Sequence, residues 1–229
     1  VMYVSGTDSH GTPITQRAVQ ENTTPEEIAK RYHEAFVKSF TSMGFEYDLY
    51  TATFAEEHKK IVQEYFLKLI DNGYIYEKTI KQDYCEHCGK FLSDREIVGT
   101  CPKCGGKASG EQCDDCLTTL NADEVEDKHC KACGNETALK DNKHLYFKLS
   151  AFQKQIEDLI QASENTWRKQ AVGESRKFLH NGLIDRAATR QLEWGIEVPV
   201  KGYEDKRIYV WIEAVLGYLT TAKRVADSR

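Results

Sequence analysis

The chain has no stretch of 18 or more apolar residues, no excess of positive charge and only four prolines. Without a long apolar run it contains no candidate transmembrane helix. Its 31 basic and 36 acidic side chains leave a formal net charge of −5, so we expect no broad basic surface for nucleic-acid phosphates and no DNA partner. The 40% share of hydrophobic residues is typical of a packed globular protein and not of a disordered linker.

No leader is evident at the start of the chain, which begins at Val1 without an initiator Met, a charged leader or an apolar secretion segment. The other end, from Gly217 to Arg224, is typical of a helix, but no Gly or Pro stop signal follows it. We therefore expect a fragment, cut at both ends, of a cytoplasmic protein. Its 229 residues are enough for one large domain or two small ones.

Strand-like and helix-like segments alternate along most of the chain. Val1 to Val4 is a short, strand-like apolar run, and a polar loop from Thr7 to Pro13 follows it. Thr24 and Pro25 are typical of a helix start, with Thr as the N-cap and Pro at the first helical position. The later predicted elements are helices over 61–70, 152–160 and 167–180, and strands over 74–76, 144–149 and 207–212. This order predicts an α/β scaffold.

All eight cysteines lie between residues 85 and 133, in a segment with few large apolar side chains. They form four Cys-x-x-Cys knuckles: Cys85/Cys88, Cys101/Cys104, Cys113/Cys116 and Cys130/Cys133. Two knuckles can supply four thiolates to one tetrahedral ion, so the sequence predicts two closed zinc sites. Because thiolates fill every position, each zinc would be structural and not catalytic. We expect a separate metal module inserted into the α/β scaffold.

The spacing of the knuckles leaves their pairing open. Sequential pairing places 12 and 13 residues between knuckles, whereas nested pairing places 8 in the inner site and 41 in the outer site. Disulfides or redox pairs are one alternative to zinc, but eight cysteines with none left over and no secretion segment favour the metal. A four-cysteine iron centre of an electron-transfer protein is the stronger alternative.

Four parts of the sequence form a motif set: GTDSHGTPI over 6–14, FLSDR over 91–95 with GTCPKC over 99–104, TRQLEWGIEVP over 189–199, and YVWIEA over 209–214. In this order, with the knuckles among them, they make nearly the whole chain similar to the methionyl-tRNA synthetases, a family of class I aminoacyl-tRNA synthetases. Ser9, Glu213 and Val215 depart from the residues that are common in that family.

The resemblance implies a partial Rossmann-type catalytic domain over 1–84, a zinc-knuckle connective module over 85–143, and a connective segment over 144–229 that returns to the catalytic domain. It also implies nested zinc pairing. The inner site would use Cys101, Cys104, Cys113 and Cys116, and the outer site Cys85, Cys88, Cys130 and Cys133.

The activity that the resemblance implies is that of a methionine-tRNA ligase in protein synthesis. Methionine is activated by ATP, with Mg²⁺, to methionyl-adenylate, and the methionyl group is then transferred to tRNA(Met). Placement and charge complementarity are what such a reaction needs from the protein. The His-Ile-Gly-His and Lys-Met-Ser-Lys-Ser signatures that bind ATP phosphates in this class lie outside the chain, so we expect the 229 residues alone to be inactive.

Candidate site residues come from the first, third and last motifs and from the residues that follow the last one. Asp8 follows a strand, at the sheet edge where α/β proteins bind ligands, and its carboxylate could accept from the substrate ammonium; the alternative is a turn aspartate. His10 could contact substrate or adenylate, or only hydrogen-bond to the backbone. The resemblance places Arg190 near the substrate carboxylate and ATP. It also places four residues around the methionine side chain, where the alternative is an ordinary core: Trp211, Ala214, Val215 and Tyr218.

Two other functions remain open from the sequence. The first is a non-catalytic zinc-ribbon interaction module derived from a synthetase, but residues 85–133 hold 6 basic and 10 acidic side chains and so lack a basic face. The second is a class I synthetase for another small apolar amino acid. Competition among methionine, valine and leucine would distinguish it from a methionine enzyme.

Overall fold

The computed structural model describes residues 1–110, 112–118, 120, 123–180 and 182–229. Its helices are α1 (Thr12–Glu21), α2 (Pro25–Ser42), α3 (Glu56–Asp71), α4 (Gln153–Ala162), α5 (Lys169–His180) and α6 (Val210–Asp227). Its strands are β1 (Val4–Thr7), β2 (Leu49–Ala52), β3 (Ile75–Cys85), β4 (Lys90–Phe91), β5 (Ile97–Thr100), β6 (Lys107–Ser109), β7 (Glu126–Cys130), β8 (Ala138–Phe147), β9 (Arg186–Ala187), β10 (Thr189–Arg190) and β11 (Arg207–Ile208). The mixture confirms the predicted α/β content.

The described residues fall into two compact units, one formed by Val1–Glu77 with Leu145–Arg229 and the other by Lys78–His144. None of the described helices is long and apolar enough to cross a membrane.

In the first unit, β1 and β2 pair in parallel, with Val4 opposite Leu49 and Thr7 opposite Ala52. The chain travels from β1 to β2 through α1 and α2, because two parallel strands need a long crossover. α6 contacts both strands and α3. The loop that leaves the carboxyl end of β1 therefore emerges beside α6, and this arrangement builds the candidate site.

The core of the first unit is apolar and lies along α3. Val62 and Phe66 share a face of that helix and pack with residues from several later segments: Ile75, Leu145, Ala188, Ile196, Val198, Tyr203 and Ile208. Ile212 and Leu216, on α6, pack against this cluster. Burial of these side chains ties α6 to α3, since removing apolar surface from water is the main favourable contribution to packing.

The second unit has little apolar core. β5 pairs with β6 on one side and with β7 on the other, and β4 pairs with the end of β3. Its two buried clusters contain cysteines: one joins Cys101 and Cys113 to Ala108, Leu120 and Val125, and the other joins Cys85 and Cys130 to Leu92 and Ile97. Small modules of this kind are stabilised by cross-links such as bound metal ions.

Several predicted elements differ from the observed ones. The first strand runs from Val4 to Thr7 and not from Val1 to Val4, and α1 and β2 were not predicted at all. The largest error concerns 207–212, which was predicted to be a strand. Only Arg207 and Ile208 are extended, because Tyr209 is the N-cap of α6 and the helix begins at Val210.

Candidate functional site

The loop after β1 is fixed by hydrogen bonds on both sides of Ser9. The Ser9 backbone N–H donates to Thr53 Oγ1 at 2.9 Å, and the Trp194 indole N–H donates to the Ser9 carbonyl at 2.8 Å. The rings of His10 and Trp194 meet edge to face, with centroids 5.1 Å apart. Asp8 therefore projects from a loop whose neighbours are held in place.

A cavity of about 270 Å³ opens beside this loop. Its lining comes from β1 and the residues after it, from the end of β2, and from α3 and α6: Ser5, Gly6, Thr7, Asp8, Thr51, Ala52, Thr53, His58, Trp211, Ala214, Val215, Gly217, Tyr218 and Thr221. This volume is close to the lower end of the range for small-ligand pockets. Its walls combine apolar and aromatic groups with a few polar ones, as ligand pockets do.

α6 supplies the apolar wall because of its helical periodicity. Trp211, Ala214, Val215 and Tyr218 stand at positions i, i+3, i+4 and i+7, so they share one face of the helix. All four line the cavity, and Trp211, Val215 and Tyr218 are exposed. The structure thus brings together four of the residues that the resemblance singled out, with Trp211 on a helix and not on the predicted strand.

Asp8 lines the cavity, and its surroundings disfavour its charge. Partial burial raises its pKa, and the nearby Glu213 carboxylate adds to the rise. A hydrogen bond from the His10 backbone and the charges of His10 and His58 act in the opposite direction. A raised pKa together with a position in a cleft is a feature of functional carboxylates.

His10 and Arg190 occupy different positions from Asp8. Within the part of the chain that the structure describes, neither residue lines the cavity. The His10 ring is buried, and its Nδ1 lies 2.6 Å from Glu213 Oε1. The Arg190 guanidinium lies 4.0 Å from the centre of the Tyr209 ring and donates to the carbonyls of Ala187 and Thr189.

The sequence interpretation missed His58, Thr53 and Thr221 as lining residues. His58 stands in the first turn of α3, and its Nδ1 lies 3.2 Å from Thr220 Oγ1 on α6. No local pattern marks it, because its neighbours are polar residues of an ordinary helix start. Glu213 was noted only as a departure from the family pattern. The helical period would place Glu213 on the buried face of α6, but the start of that helix was not predicted.

The eight cysteines form two groups, in which the four sulfurs lie within 4.8 Å of one another. One group is Cys85, Cys88, Cys130 and Cys133, and the other is Cys101, Cys104, Cys113 and Cys116. The nested grouping is therefore confirmed. The eight thiols are free, so no disulfide competes with metal binding.

The geometry of both groups fits a tetrahedral ion. Cys85 and Cys133 have sulfurs 3.4 Å apart, and Cys101 and Cys116 have sulfurs 3.9 Å apart. Four thiolates around zinc lie about 3.8 Å from one another. The backbone N–H of Cys88 donates to Cys85 Sγ, and the side chain of Asn135 donates to Cys133 Sγ at 3.3 Å. The second contact contributes most to lowering the pKa of Cys133 to about 6, whereas hydrogen bonds with Cys133 and Cys85 raise the pKa of Cys88 in the same group to about 12.

Comparisons with known proteins cover the whole chain. The profile of a family described as tRNA synthetases class I (M) matches residues 1–229. A methionine-tRNA ligase of Bacillus cereus strain B4264 is 47% identical over 229 residues, which are 99% of this chain and 42% of that protein. Methionine-tRNA ligase 1 of Alkaliphilus oremlandii is 47% identical over 224 residues, which are 98% of this chain and 42% of that protein. The chain thus spans less than half the length of these relatives.

A solved structure has the same fold. It is the Mycobacterium tuberculosis methionyl-tRNA synthetase bound by methionyl-adenylate, with a TM-score of 0.69 and 21% sequence identity. The match covers 97% of this chain and 39% of that protein. The described residues therefore adopt a class I synthetase fold.

Proposed function

Because the chain belongs to the class I tRNA synthetases of the methionine type, we propose that it forms the amino acid site and connective module of a methionine-tRNA ligase. The proposed reaction is carried out by a polypeptide of the same length as the relatives. This chain spans 42% of that length. That polypeptide would take methionine, ATP with Mg²⁺, and tRNA(Met) as its substrates and partners, and would act in the cytoplasm.

The site is suited to a zwitterion with a long apolar side chain. We assign Asp8 to the substrate ammonium, since it lines the cavity, and the apolar face of α6 to the substrate side chain. Trp211 and Tyr218 can contact a thioether with their rings, a contact that sulfur favours. Arg190 keeps its predicted role beside the carboxylate and ATP, and His10 its role near the substrate.

The chemistry needs little covalent help from these residues. A carboxylate oxygen of methionine attacks the α-phosphorus of ATP, the bond from that phosphorus to the β-phosphate oxygen breaks, and pyrophosphate leaves. The terminal ribose hydroxyl of the tRNA then attacks the acyl carbon, and AMP leaves. The contribution of Asp8 and the α6 wall is to hold methionine with its carboxylate free to react.

The cysteine groups have a separate role. Each would hold one zinc ion in a closed site of four thiolates, which leaves no position for substrate or activated water. The zinc ions would therefore stabilise a module that has little apolar core. We keep the division into 1–84, 85–143 and 144–229, and a Rossmann-type arrangement of the catalytic part, as predictions.

The observation that carries this proposal is the cavity, which joins a carboxylate to an aromatic and apolar helix face. Calorimetric titration of the 229-residue chain with methionine, valine and leucine tests the proposal. We expect binding of one methionine and much weaker binding of the other two. Equal binding of leucine, or no methionine binding, would contradict the assignment. Methionine-dependent exchange of pyrophosphate into ATP, measured for the polypeptide that carries these residues, tests the reaction itself.

A further inference from the structure

Three buried ionisable side chains meet behind the cavity. Glu213, from the first turn of α6, is fully buried, and the side chains of His10 and His58 are each 2% exposed. Glu213 Oε1 lies 2.6 Å from His10 Nδ1, and Glu213 Oε2 lies 3.8 Å from His58 Nε2. The three residues come from α6, the loop after β1, and α3.

Hydrogen-bond accounting fixes the roles of several atoms in this group. We assign Glu213 as the acceptor of the 2.6 Å contact, so that His10 Nδ1 carries its hydrogen. The Thr220 hydroxyl donates to the Leu216 carbonyl at 3.0 Å, so it accepts from His58 Nδ1. Two buried atoms that have no hydrogen-bond partner, His58 Nε2 and Glu213 Oε2, then face each other.

A buried carboxylate is costly unless positive charge or donors surround it. Glu213 has a donor on one oxygen and an imidazole nitrogen near the other. Both oxygens of Glu213 therefore have an imidazole nitrogen nearby, and the shorter of the two contacts fixes the His10 ring.

The His10 residue connects this group to Asp8. Its ring is held by Glu213, and its backbone N–H donates to the Asp8 carboxyl. Ser9, between them, is held by Thr53 and Trp194. The contact that holds the His10 ring therefore lies two residues from Asp8 in the same loop.

We propose that Glu213 is a positioning residue for Asp8 that acts through the His10 ring. The inference rests on the proposed function of Asp8 as acceptor for the substrate ammonium. Glu213 itself does not line the cavity, so its effect on the substrate is indirect.

The proposal has an electrostatic consequence that packing alone would not produce. The charged groups that act on Asp8 are Glu213 from α6, His58 from α3 and His10 from its own loop. Glu213 raises the pKa of Asp8, and the two histidines lower it. Glu213→Gln keeps the side-chain shape but removes the negative charge. The Asp8 carboxyl should then titrate at a lower pH.

The experiment is a ¹³C NMR titration of the Asp8 carboxyl in the 229-residue chain. Glu213→Gln should shift the midpoint to lower pH and change the ring ¹⁵N resonances of His10. The matched control is Asp227→Asn in the last turn of the same helix, where Asp227 is exposed and paired with Lys223. The control should leave both signals unchanged. An unchanged Asp8 midpoint in folded Glu213→Gln would overturn the proposal.

A second measurement needs no change at Glu213, so it decides the matter if Glu213→Gln does not fold. In the unaltered chain the His10 ring should carry a hydrogen on Nδ1 throughout the neutral pH range, as read from its ¹⁵N shifts. A neutral ring with its hydrogen on Nε2 would overturn the proposal.

Calorimetric titration with methionine is a third test of the proposal. Glu213→Gln should weaken methionine binding about tenfold, as expected from loss of one charge-assisted hydrogen bond. If the unaltered chain binds no methionine, the proposed function fails, while the two NMR measurements still decide the role of Glu213.

Discussion

At the scale of single residues, Asp8 combines an accessible position with a raised pKa. Partial burial is the larger cause, and the Glu213 carboxylate is the second. Only the ionised carboxylate attracts an ammonium group. The affinity for methionine should therefore fall as the pH drops through the raised pKa of Asp8, which lies above the ordinary value of about 3.9 for aspartate. Calorimetric titrations between neutral and acidic pH would measure this fall in affinity, and constant affinity across that range would contradict the assignment of Asp8.

Replacement of Asp8 tests the same assignment from the other side. Asp8→Asn should weaken methionine binding by about 1.5–3 kcal/mol, the value of a hydrogen bond to a charged group. It should also abolish the loss of methionine affinity at acidic pH. Because the pKa of Asp8 is raised in the folded state, its ionised form disfavours folding at neutral pH. The variant should therefore unfold at no lower a temperature than the unaltered chain.

The matched control for that replacement is Asp71→Asn, an exposed aspartate at the end of α3. It should leave methionine affinity unchanged. Equal losses in both variants would show that the effect of Asp8→Asn is not specific to the site.

The sequence could predict only part of the site. Asp8 was found because it follows a strand in a polar loop. Glu213 and His10 lie 203 residues apart in the chain, and no local pattern connects them. His58 contacts Thr220 across 162 residues, so its place in the cavity depends on how α3 packs on α6. Side chains that meet only through tertiary packing cannot be paired from one sequence.

At the scale of the elements, the start of α2 was the most predictable feature. Thr24 caps α2 as expected: its Oγ1 accepts from the Glu27 backbone N–H at 3.2 Å, and Glu27 accepts from the Thr24 backbone N–H. Two acidic residues, Glu26 and Glu27, follow in the first turn, where they complement the helix dipole. This signal is local, so it can be read directly from the sequence.

The cap allows a direct prediction of stability. Thr24→Ala should lower the free energy of unfolding by about 1 kcal/mol, because it leaves the first turn of α2 without its side-chain acceptor. Thr41→Ala, at an exposed position near the other end of α2, should change it by less than about 0.5 kcal/mol. Urea denaturation followed by circular dichroism would measure both, and equal effects would contradict the role of the cap.

The start of α6 was the least predictable feature. Residues 207–212 contain a run of β-branched and aromatic side chains that favours a strand. Packing decided otherwise, since Ile212 and Leu216 lie four residues apart and meet the same core cluster. The helical spacing of residues 211, 214, 215 and 218 is visible in the sequence. It competes with the strand preference of residues 207–212, however, and it continues beyond that run.

Packing of α3 gives the strongest expected effect on stability. Phe66 is buried in the apolar cluster that also receives Ile212 and Leu216 from α6. Phe66→Ala should destabilise this unit by about 3–5 kcal/mol through lost burial and the cavity that remains. Tyr65→Ala, at the exposed neighbouring position, should cost far less. Denaturation curves of the two variants would compare them, and similar losses would contradict this account of the core.

At the scale of the whole molecule, two units are stabilised in different ways. The unit of Val1–Glu77 and Leu145–Arg229 contains the large apolar cluster, whereas the clusters of Lys78–His144 consist of a few residues around cysteines. The sequence could predict this contrast, because all cysteines and few large apolar residues share one segment. It could not decide the pairing of knuckles from spacing, since that depends on how the β5, β6 and β7 strands fold.

Metal stoichiometry tests the nested arrangement. The unaltered chain should hold two zinc ions, one for each four-cysteine group. Replacing Cys101, Cys104, Cys113 and Cys116 together by Ser removes one whole group in the nested arrangement, so one zinc ion should remain. Sequential pairing would place half of each site among those four residues, and no zinc would remain.

The matched control replaces the same number of cysteines but divides them differently. A variant with Ser at Cys85, Cys88, Cys101 and Cys104 loses half of each nested group, so it should hold no zinc, whereas sequential pairing would leave it one. Plasma mass spectrometry of the purified variants counts the metal and identifies it. One remaining zinc in the control variant, or iron in the unaltered chain, would contradict the proposed sites. Because a closed four-thiolate site stabilises the fold, loss of both ions should also unfold Lys78–His144, measured as loss of amide-exchange protection in that unit.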